Sequence, residues 1–585
     1  MLAELKRTRE ENKRLREMLG LAEEPAARAA PIAPAKEPPP APRKAPAARA
    51  PAPAAQITWP TPGEQFWLRP PRPVAAGGSR EAPPRDPNPL RVCHITAEMA
   101  PFAKVGGLAD VVTGLSRECL ARGHEVEVIL PYYGALDAAC LSDVKHELDF
   151  DVPVGRPHQG AGEYFPVRSS VFRATLAGVP VALLRPKDDD RMFRGPYGAQ
   201  GGAPELQAYL YLCRGALEYL KVTDRQPDVL HVHEWQAAAA AMLYWEVYTG
   251  AGLWKPRVML TIHNMDSRGE CRADEFSFCG LDGAPFMHRE RALDERTVGH
   301  NPERMCLLKG GIVYANAVTT VSRTYRDETL RGGAGWLGTA LSAHAGKYTG
   351  VVNGIDDEVW DPAADPFTPA PFSADSLAGK AQCKRFLQMG LGLEVDPNRP
   401  LIIAVSRLVA QKGIASMLHC AGRAEALGAQ FVLLGTGSAG NQFQALADNK
   451  AHPHVRVLLM YNEALAHCRF AAGDITIVPS SFEPCGLTQL VGQRYGAVPV
   501  VRRTGGLADT VADVDVAGPG AGTGFVFDGN DAGAFEGALN RAVRMCADRP
   551  AEWQQLVERV MRKDVSWAVP AEEYLELYRG IAKLQ

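Results

Sequence analysis

The chain has 585 residues, with 64 lysines and arginines against 67 aspartates and glutamates, which gives a formal net charge of -3. This length leaves room for more than one hydrophobic core, and the near-neutral charge argues against nucleic acid or an acidic membrane as the main partner and favours a neutral polymer or a small ligand. The twelve cysteines form no C-x-x-C pair, and no apolar run approaches the ~18 residues of a membrane span, so we expect a soluble protein of a reducing compartment without disulfides or a zinc site.

The N-terminus predicts a short helix followed by a linker. Leu5, Asn12 and Leu19 lie seven residues apart, a heptad register with an asparagine at one core position, so residues 1–24 are predicted to be a short helix and the possible end of a coiled coil. Residues 25–89 are rich in proline and alanine and are predicted to be a semi-rigid linker that buries too little apolar surface to fold. The glutamates of the first helix argue against a transit peptide in this sequence, and whether one was removed stays open.

Short apolar runs and helical stretches alternate from residue 91 onwards. The first set of predicted strands is RVCHIT, EVEVILP, PVALLRP, DVLHVH, RVMLTIH and AVTTVS, and the second set, after residue 400, is LIIAVSRL, QFVLLGTG, VRVLLMY, ITIVPS and VPVVRRT. This pattern predicts two α/β doubly wound domains with buried parallel sheets. The stretch NGIDDEVWDPAAD marks the boundary, which gives an N-terminal domain over 90–355 and a C-terminal domain, with its terminal helices, over 356–585.

The pentapeptide GGLAD occurs twice, in KVGGLADVV (104–112) and RTGGLADTV (503–511). Paired glycines let a ligand approach the backbone, and the helix that follows offers free N–H groups to an anion. The repeat with a cation at the same offset predicts two phosphate-capable turns in two similar domains, and the ligand of the second turn stays open. The alternative is that both are ordinary strand-to-helix turns.

Charged residues follow several predicted strands, where open parallel sheets bind their ligands. Arg407 and Lys412 suit a diphosphate clamp, since arginine binds two phosphate oxygens and lysine acts as a point charge; the alternative is a solvated loop. Glu483, in PSSFEPCGLTQ, could hydrogen-bond sugar hydroxyls and stabilise positive charge at an anomeric carbon, or could simply favour the start of a helix. His233 ends the DVLHVH strand and could be structural, while His231 is predicted to point to the other face, into the core.

The motifs together resemble a known family. KVGGLADVV, HVHEWQ, TIHN, VVNGID, SRLVAQKG, FEPCGLTQ, RYGAVPVVRRTGGLADTV and GTGFVF occur in this order over about residues 90–585, as in the starch and glycogen synthases of glycosyltransferase family five. The HVHEWQ region is most similar to the plant and algal class-four soluble starch synthases. The resemblance implies a GT-B fold, in which an acceptor-binding N-terminal domain and an ADP-glucose-binding C-terminal domain face each other across a cleft. It also implies transfer of glucose from ADP-glucose to the non-reducing 4-OH of an α-1,4-glucan with retention of configuration.

The resemblance also implies roles for individual residues, by match to the family's motifs. Its catalytic set, which acts on the transferred glucose and the leaving diphosphate, is Glu483, His233, Arg407 and Lys412. Its substrate-binding set is Lys104, Gly106, Gly107, Asp110, Tyr461 (stacked on adenine), Leu487, Thr488, Gln489 and Cys306. Cys306 stands where the family usually has an asparagine near the sugar, unless the alignment shifts by two residues.

Neither a metal nor a cofactor is expected beyond the donor substrate. Clustered cations replace a metal in neutralising a leaving diphosphate, and the acidic runs Asp188–Asp190 and Asp513–Asp515 lie away from the motif loops. Val491 stands where many related transferases carry a second glutamate, which favours a front-face mechanism in which the leaving phosphate takes the acceptor's proton.

Other features leave alternatives open. Ser267-Arg268 and Arg323 depart from the family's pattern and could alter the acceptor surface, while HEW replaces HDW at Glu234. A second hypothesis is a weakly active or inactive glucan-binding scaffold in starch granule initiation, and a third is an enzyme that uses UDP-glucose or another acceptor. The predicted partners are ADP-glucose, maltooligosaccharide and a second copy or another protein through the N-terminal helix. Family resemblance implies the plastid stroma.

Overall fold

The computed structural model describes residues 57–72, 83–155, 164–189, 191–198, 204–449, 452–518 and 520–583. All of these residues belong to one compact unit, Ala45–Gln585. The predicted helix over 1–24 lies outside the described residues. No described helix combines the length and the apolarity that crossing a membrane requires.

The N-terminal part of the described chain forms a sheet flanked by helices. Its strands are β1 (Arg91–Ile95), β2 (Glu125–Pro131), β3 (Leu141–Gly155), β4 (Tyr164–Leu176), β5 (Val179–Pro186), β6 (Val229–His233), β7 (Arg257–Ile262), β8 (Glu270–Cys271), β9 (Met305–Cys306), β10 (Ala317–Thr320) and β11 (Tyr348–Gly350). Its helices are α1 (Gly107–Ala121), α2 (Glu205–Val222), α3 (Glu234–Leu243), α4 (Ala273–Phe276), α5 (Leu307–Tyr314), α6 (Arg323–Glu328) and α7 (Gly338–Ala343). Nine strands form one sheet in the order β11-β10-β7-β6-β1-β2-β5-β4-β3, and β8 pairs with β9 separately. The pairs within the large sheet are parallel except for those that β4 makes with β3 and β5.

The C-terminal part forms a second sheet, which is entirely parallel. Its strands are β12 (Leu401–Val405), β13 (Gln430–Leu434), β14 (Val455–Leu458), β15 (Ile475–Val478), β16 (Val498–Arg502) and β17 (Phe525–Phe527), in the order β14-β13-β12-β15-β16-β17. The remaining helices are α8 (Ala378–Gly390), α9 (Ile414–Arg423), α10 (Gln444–Asp448), α11 (Glu463–Ala472), α12 (Thr488–Arg494), α13 (Gly505–Thr510), α14 (Ala532–Asp548), α15 (Pro550–Arg562) and α16 (Ala568–Ala582). The central strands are buried on both faces, as parallel sheets require.

The last helix packs on the first sheet, although it follows the second in sequence. Tyr574 and Tyr578 of α16, with Trp567 just before it, join one buried cluster with Val92 of β1 and Met259 of β7. Assigning all of 356–585 to the C-terminal domain was therefore wrong for this helix. The order of elements along the chain does not reveal which sheet an apolar helix face covers.

Part of the predicted linker is packed against the C-terminal domain. Phe66 is buried edge-on to Phe386 of α8, with ring centroids 5.1 Å apart, and the Gly63 amide donates to the Gly390 carbonyl at 3.1 Å. The guanidinium of Arg385 lies over the Trp59 ring. The linker prediction is wrong for 57–72 because the average composition of the whole stretch concealed a local group of aromatic side chains.

Candidate active site

Two adjoining cavities lie where strand ends of both sheets meet. The first has a volume of 490 Å³ and is lined by loops after β1, β6, β7, β12 and β15. The second has a volume of 470 Å³, and the two share Asp110, Val405, Ser406, Arg407, Leu487 and Thr488. Ten of the thirteen predicted site residues line one or both cavities: Lys104, Gly106, Gly107, Asp110, Arg407, Lys412, Tyr461, Glu483, Leu487 and Thr488.

The first GGLAD turn is held by Glu98, a glutamate that lines the first cavity and that the sequence did not single out. Glu98, which follows β1 and is 3% exposed, accepts the Val105 amide at 2.7 Å and the Gly106 amide at 2.9 Å through Oε2. The Tyr197 hydroxyl donates to its other oxygen. Tyr197 itself has a φ of 57°, an uncommon conformation for a non-glycine residue that marks a locally constrained site. The signal by which the sequence could have identified Glu98 is a carboxylate in the loop that follows a buried strand.

Lys104 and Asp110 form an ion pair beside this turn. The Lys104 ammonium lies 2.9 Å from Asp110 Oδ1 and 3.8 Å from Glu463 Oε1, across the cleft. Burial lowers the pKa of Lys104, but attraction to Asp110 and Glu463 outweighs burial, so its pKa lies above the usual value. Burial raises the pKa of Asp110, and Lys104 opposes that shift only in part. Lys104 therefore stays charged at the cavity wall.

The cations of the β12 loop differ in their partners. Lys412 Nζ donates to Glu483 Oε2 at 2.6 Å, and the Ser480 hydroxyl donates to the same oxygen at 2.7 Å. The exposed Arg407 side chain has no carboxylate partner among the described residues, although it lines both cavities. An unpaired guanidinium where the two cavities join is suited to an anion that spans them.

Glu234 is a second buried carboxylate that the site prediction omitted. It has a φ of 60°, lines the first cavity, and accepts the amides of His263 and Asn264, the latter at 2.7 Å. Burial raises its pKa to about 8, although these backbone N–H groups work in the opposite direction. The strained backbone and the shifted pKa are both typical of functional positions.

His233 reaches the first cavity only through a neighbour. It is fully buried, and its ring nitrogens pair with His94 at 3.0 Å and with His263 at 3.1 Å. His263 lines the cavity, whereas His233 does not. Burial lowers the pKa of His94 and of His263 to about 3 and that of His233 well below its usual value, so these rings are neutral.

The prediction that His231 points to the other face was wrong. Its ring stacks on His233 with centroids 4.1 Å apart, because residues two apart on a strand share a face. His231 pairs with the Tyr578 hydroxyl at 2.7 Å and with Thr261 Oγ1 at 2.6 Å. Nitrogens of His94, His231 and His233 lie within 4.8 Å of one another, but the rings stack and all ring nitrogens except His94 Nε2 already have protein partners, which fits a metal ion poorly.

The structure does not bring Cys306 and Gln489 into either cavity. Cys306 is buried at the N-cap of α5, where its sulfur accepts the Lys309 amide at 3.4 Å, so it caps the helix. Gln489 is buried and donates to the Gly486 carbonyl and, at 3.0 Å, to Thr510 Oγ1. The side chain of Gln489 therefore supports the turn beneath the cavity and does not face it.

The second GGLAD turn is not a phosphate-facing turn. The Gly505 amide donates to Glu328 Oε1 of α6 at 3.0 Å, and the Gly506 amide donates to the Glu483 carbonyl at 3.0 Å. Arg503 pairs with Asp528 at 3.0 Å on the surface. The prediction of two equivalent phosphate-capable turns was therefore wrong for this copy, because its amides already have protein acceptors. The Asp513–Asp515 run is likewise engaged, since both aspartates pair with Arg541.

Family models match both halves of the chain. The starch synthase catalytic domain matches residues 91–341, and glycosyl transferases group 1 matches residues 392–555. The chain is 38% identical over 512 residues to a glycogen synthase of Protochlamydia amoebophila, covering 84% of this chain and 99% of that protein. The chain belongs to the starch and glycogen synthase family. It is therefore a glycosyltransferase of the kind that transfers glucosyl units from a nucleotide sugar to a glucan.

Two comparisons with plant proteins agree with this family. The chain is 40% identical over 502 residues to the probable starch synthase 4, chloroplastic/amyloplastic, of Arabidopsis thaliana, which covers 84% of this chain but 47% of that protein. The solved catalytic domain of starch synthase IV from A. thaliana, bound to ADP and acarbose, is similar with a TM-score of 0.79 and 39% identity, over 85% of this chain and 100% of that one. A sucrose-phosphate synthase from Thermosynechococcus elongatus shares the fold alone, with a TM-score of 0.53 and 16% identity over 84% of this chain and 99% of that one. The GT-B fold follows.

Proposed function

We propose that this family member transfers glucose from ADP-glucose to the non-reducing 4-OH of an α-1,4-glucan, with retention and without a metal. The observation that carries the proposal is the Arg407 guanidinium at the junction of the two cavities, which has no carboxylate partner in the described part of the chain; the Lys412–Glu483 pair also lines the first cavity. A donor whose diphosphate lies at this junction would place its nucleotide in one cavity and its glucose in the other.

The nucleotide would occupy the second cavity. Tyr461 lines this cavity and is 69% exposed, so its ring is available to stack on adenine. Lys104 lines the same cavity, and Thr488 lines both cavities. The A. thaliana structure with bound ADP supports this donor as the first to test.

The chain's own cations would stabilise the leaving diphosphate. As the bond between glucose C1 and the phosphate oxygen breaks, negative charge develops on ADP, and Arg407 and Lys412 would bind it. Lys412 would then exchange part of its contact with Glu483 for phosphate, leaving that carboxylate to face the electron-poor sugar. Binding the transition state more tightly than the substrate in this way raises the rate of the chemical step.

Retention would follow from attack on the same face that the diphosphate leaves. The acceptor's 4-OH forms the new bond to C1, its proton passes to the departing phosphate, and no covalent enzyme intermediate is required. Two observations support this route: Val491 is apolar and buried, and Glu483 is held by Lys412 and Ser480. A double displacement would need a free carboxylate close to C1.

The cellular setting is part of the same proposal. The likeness to plant proteins named chloroplastic/amyloplastic supports the plastid stroma, with glucan or maltooligosaccharide as acceptor. Association with a second copy or another protein would run through residues 1–24, on the basis of their heptad pattern.

Transfer of labelled glucose to maltooligosaccharides tests the proposal, with ADP-glucose and UDP-glucose in parallel and with chelator present. We expect ADP-glucose-dependent elongation that chelator does not change, and a loss of at least about 100-fold in kcat for Glu483→Gln. Glu425→Gln, an exposed carboxylate of the same domain, is the matched control and should retain activity. Glucan binding without turnover from either donor would contradict the proposal that the protein is an active enzyme, and it would favour a glucan-binding scaffold.

A further inference from the structure

The second GGLAD turn joins the two halves of the cleft. Glu328 of α6 accepts the Gly505 amide and the Thr504 hydroxyl through Oε1, both at 3.0 Å. In the opposite sense, Asp509 of α13 accepts the Thr324 hydroxyl at 2.6 Å and the Thr324 amide at 3.0 Å. Each side therefore supplies one carboxylate and receives one, so α6 and α13 are fixed to each other at two points. We call this pair of contacts the α6–α13 latch.

The same turn also touches the backbone that carries Glu483. The Gly506 amide donates to the carbonyls of Glu483 at 3.0 Å and of Pro484 at 3.2 Å. A Cβ on Gly505 would lie 1.9 Å from the Glu483 carbonyl oxygen, and one on Gly506 would lie 1.8 Å from that of Cys485. These two glycines are therefore required for backbone-to-backbone contact, not for access by a ligand.

We propose that Glu328 is a positioning residue for Glu483, acting through the Thr504–Gly506 turn. When α6 and α13 are latched, the turn fixes the Glu483–Cys485 backbone, and with it the carboxylate that pairs with Lys412. When the latch is open, this backbone loses the support that comes from the opposite half of the cleft. The assembly of the catalytic carboxylate is thus coupled to closure of the cleft, and the role of Glu483 in this statement rests on the proposed function.

This coupling predicts a specific effect on the kinetic parameters. Tyr461 and Arg407, which are proposed to bind the nucleotide and diphosphate, lie on other loops of the C-terminal domain and line the cavities, whereas the described lining of the two cavities includes no latch residue. Loss of the latch should therefore reduce the rate of glucose transfer while leaving donor affinity in place. A merely structural role for Glu328 would lower the amount of folded protein and leave both kinetic parameters of the remaining enzyme unchanged.

Three variants of the full chain test the proposal: Glu328→Ala, Glu328→Gln and Asp327→Ala. Asp327 is the matched control, since it is the adjacent carboxylate on α6 and pairs with Arg326 of the same helix. We expect Glu328→Ala to lower kcat by about 10- to 100-fold with the KM for ADP-glucose within about twofold, because small displacements of catalytic groups are costly. Glu328→Gln keeps an acceptor oxygen, so its kcat should recover to within about threefold of wild type. The kcat of Asp327→Ala should equal that of wild type.

Amide hydrogen exchange supplies a readout that does not depend on activity. In Glu328→Ala, the amides of Glu483, of residues 485–487 and of Gly505 and Gly506 should exchange faster than in Asp327→Ala. Equal kcat in the two alanine variants, or unchanged exchange in these segments, would overturn the proposal. If wild type transfers no glucose, the proposed function is wrong. Amide hydrogen exchange alone then tests whether the α6–α13 latch supports the Glu483 backbone. If Glu328→Ala does not fold, Thr324→Val against Thr324→Ser applies the same test to the second contact.

Discussion

The two GGLAD copies have the same five residues and opposite surroundings. At the first copy, a Cβ on Gly106 would meet nothing within 4 Å and one on Gly107 would approach only a Leu487 methyl, at 3.5 Å, beside an open cavity. At the second copy, both glycines are closed against carbonyl oxygens of residues 483–485. A glutamate accepts backbone amides in each: Glu98 from the same domain, and Glu328 from across the cleft.

This difference shows that a glycine-rich turn has no fixed function of its own. Two adjacent glycines permit close approach of any acceptor, whether a phosphate or another stretch of main chain. What decides is whether other main chain already fills the space beside the glycines, as it does at the second copy but not at the first. In this protein the first turn keeps its glycines at a cavity wall, whereas the second has become part of the support for Glu483.

The largest expected effect separates the two turns by substitution of glycine. Gly506→Ala forces a methyl group into the Cys485 carbonyl, so we expect a loss of about 2–4 kcal/mol in the free energy of unfolding and at least about 100-fold in kcat. Gly107→Ala places its methyl at ordinary contact distance and should change the free energy of unfolding by less than about 0.5 kcal/mol. Urea denaturation and steady-state kinetics measure both quantities, and equal stabilities of the two variants would remove the distinction.

A smaller effect is expected from substitution of Glu98, the glutamate that accepts the amides of the first turn. Glu98→Ala leaves the Val105 and Gly106 amides without their acceptor, and we expect kcat/KM for ADP-glucose to fall by about 30-fold. Glu98→Gln keeps one acceptor oxygen and serves as the conservative control. Unlike Glu328→Ala, Glu98→Ala should raise the KM for the donor, because the first turn lines the donor cavities directly. A loss confined to kcat would mean that the two glutamates act in the same way.

The sequence was sufficient for the parts of the fold that short-range patterns encode. Apolar runs predicted the central strands of both sheets, including β1, β6, β12 and β15. The long strands β3 and β4 were not among the predicted strands. For β3 the reason is that residues 142–147 are all exposed and form no apolar run. Contacts distant in sequence, such as the packing of α16 on the first sheet, leave no local pattern to read.

The site divides along the same line. Lys104, Arg407, Lys412 and Glu483 lie in recognisable loops after strands, and the structure gathers them at the two cavities. Glu328 could not be found in this way, since its partner Gly505 is 177 residues away. Cys306 fails for another reason: its side chain is used to cap α5 and does not line either cavity.

The smallest expected effect concerns Glu234, the buried carboxylate that lines the first cavity. Burial raises the pKa of Glu234 to about 8, well above the pKa of the same carboxyl in the unfolded chain, so between these two values the folded protein binds a proton that the unfolded chain has released. The free energy of unfolding should therefore decrease as pH rises through this window, by about 1–2 kcal/mol between pH 6 and pH 8. Glu234→Gln cannot lose that proton and should show a flatter profile in urea denaturation at the two pH values. Because nearby Glu98 contributes to the raised pKa, Glu98→Gln should reduce the slope in part, whereas Glu328→Gln at the second turn should leave it unchanged.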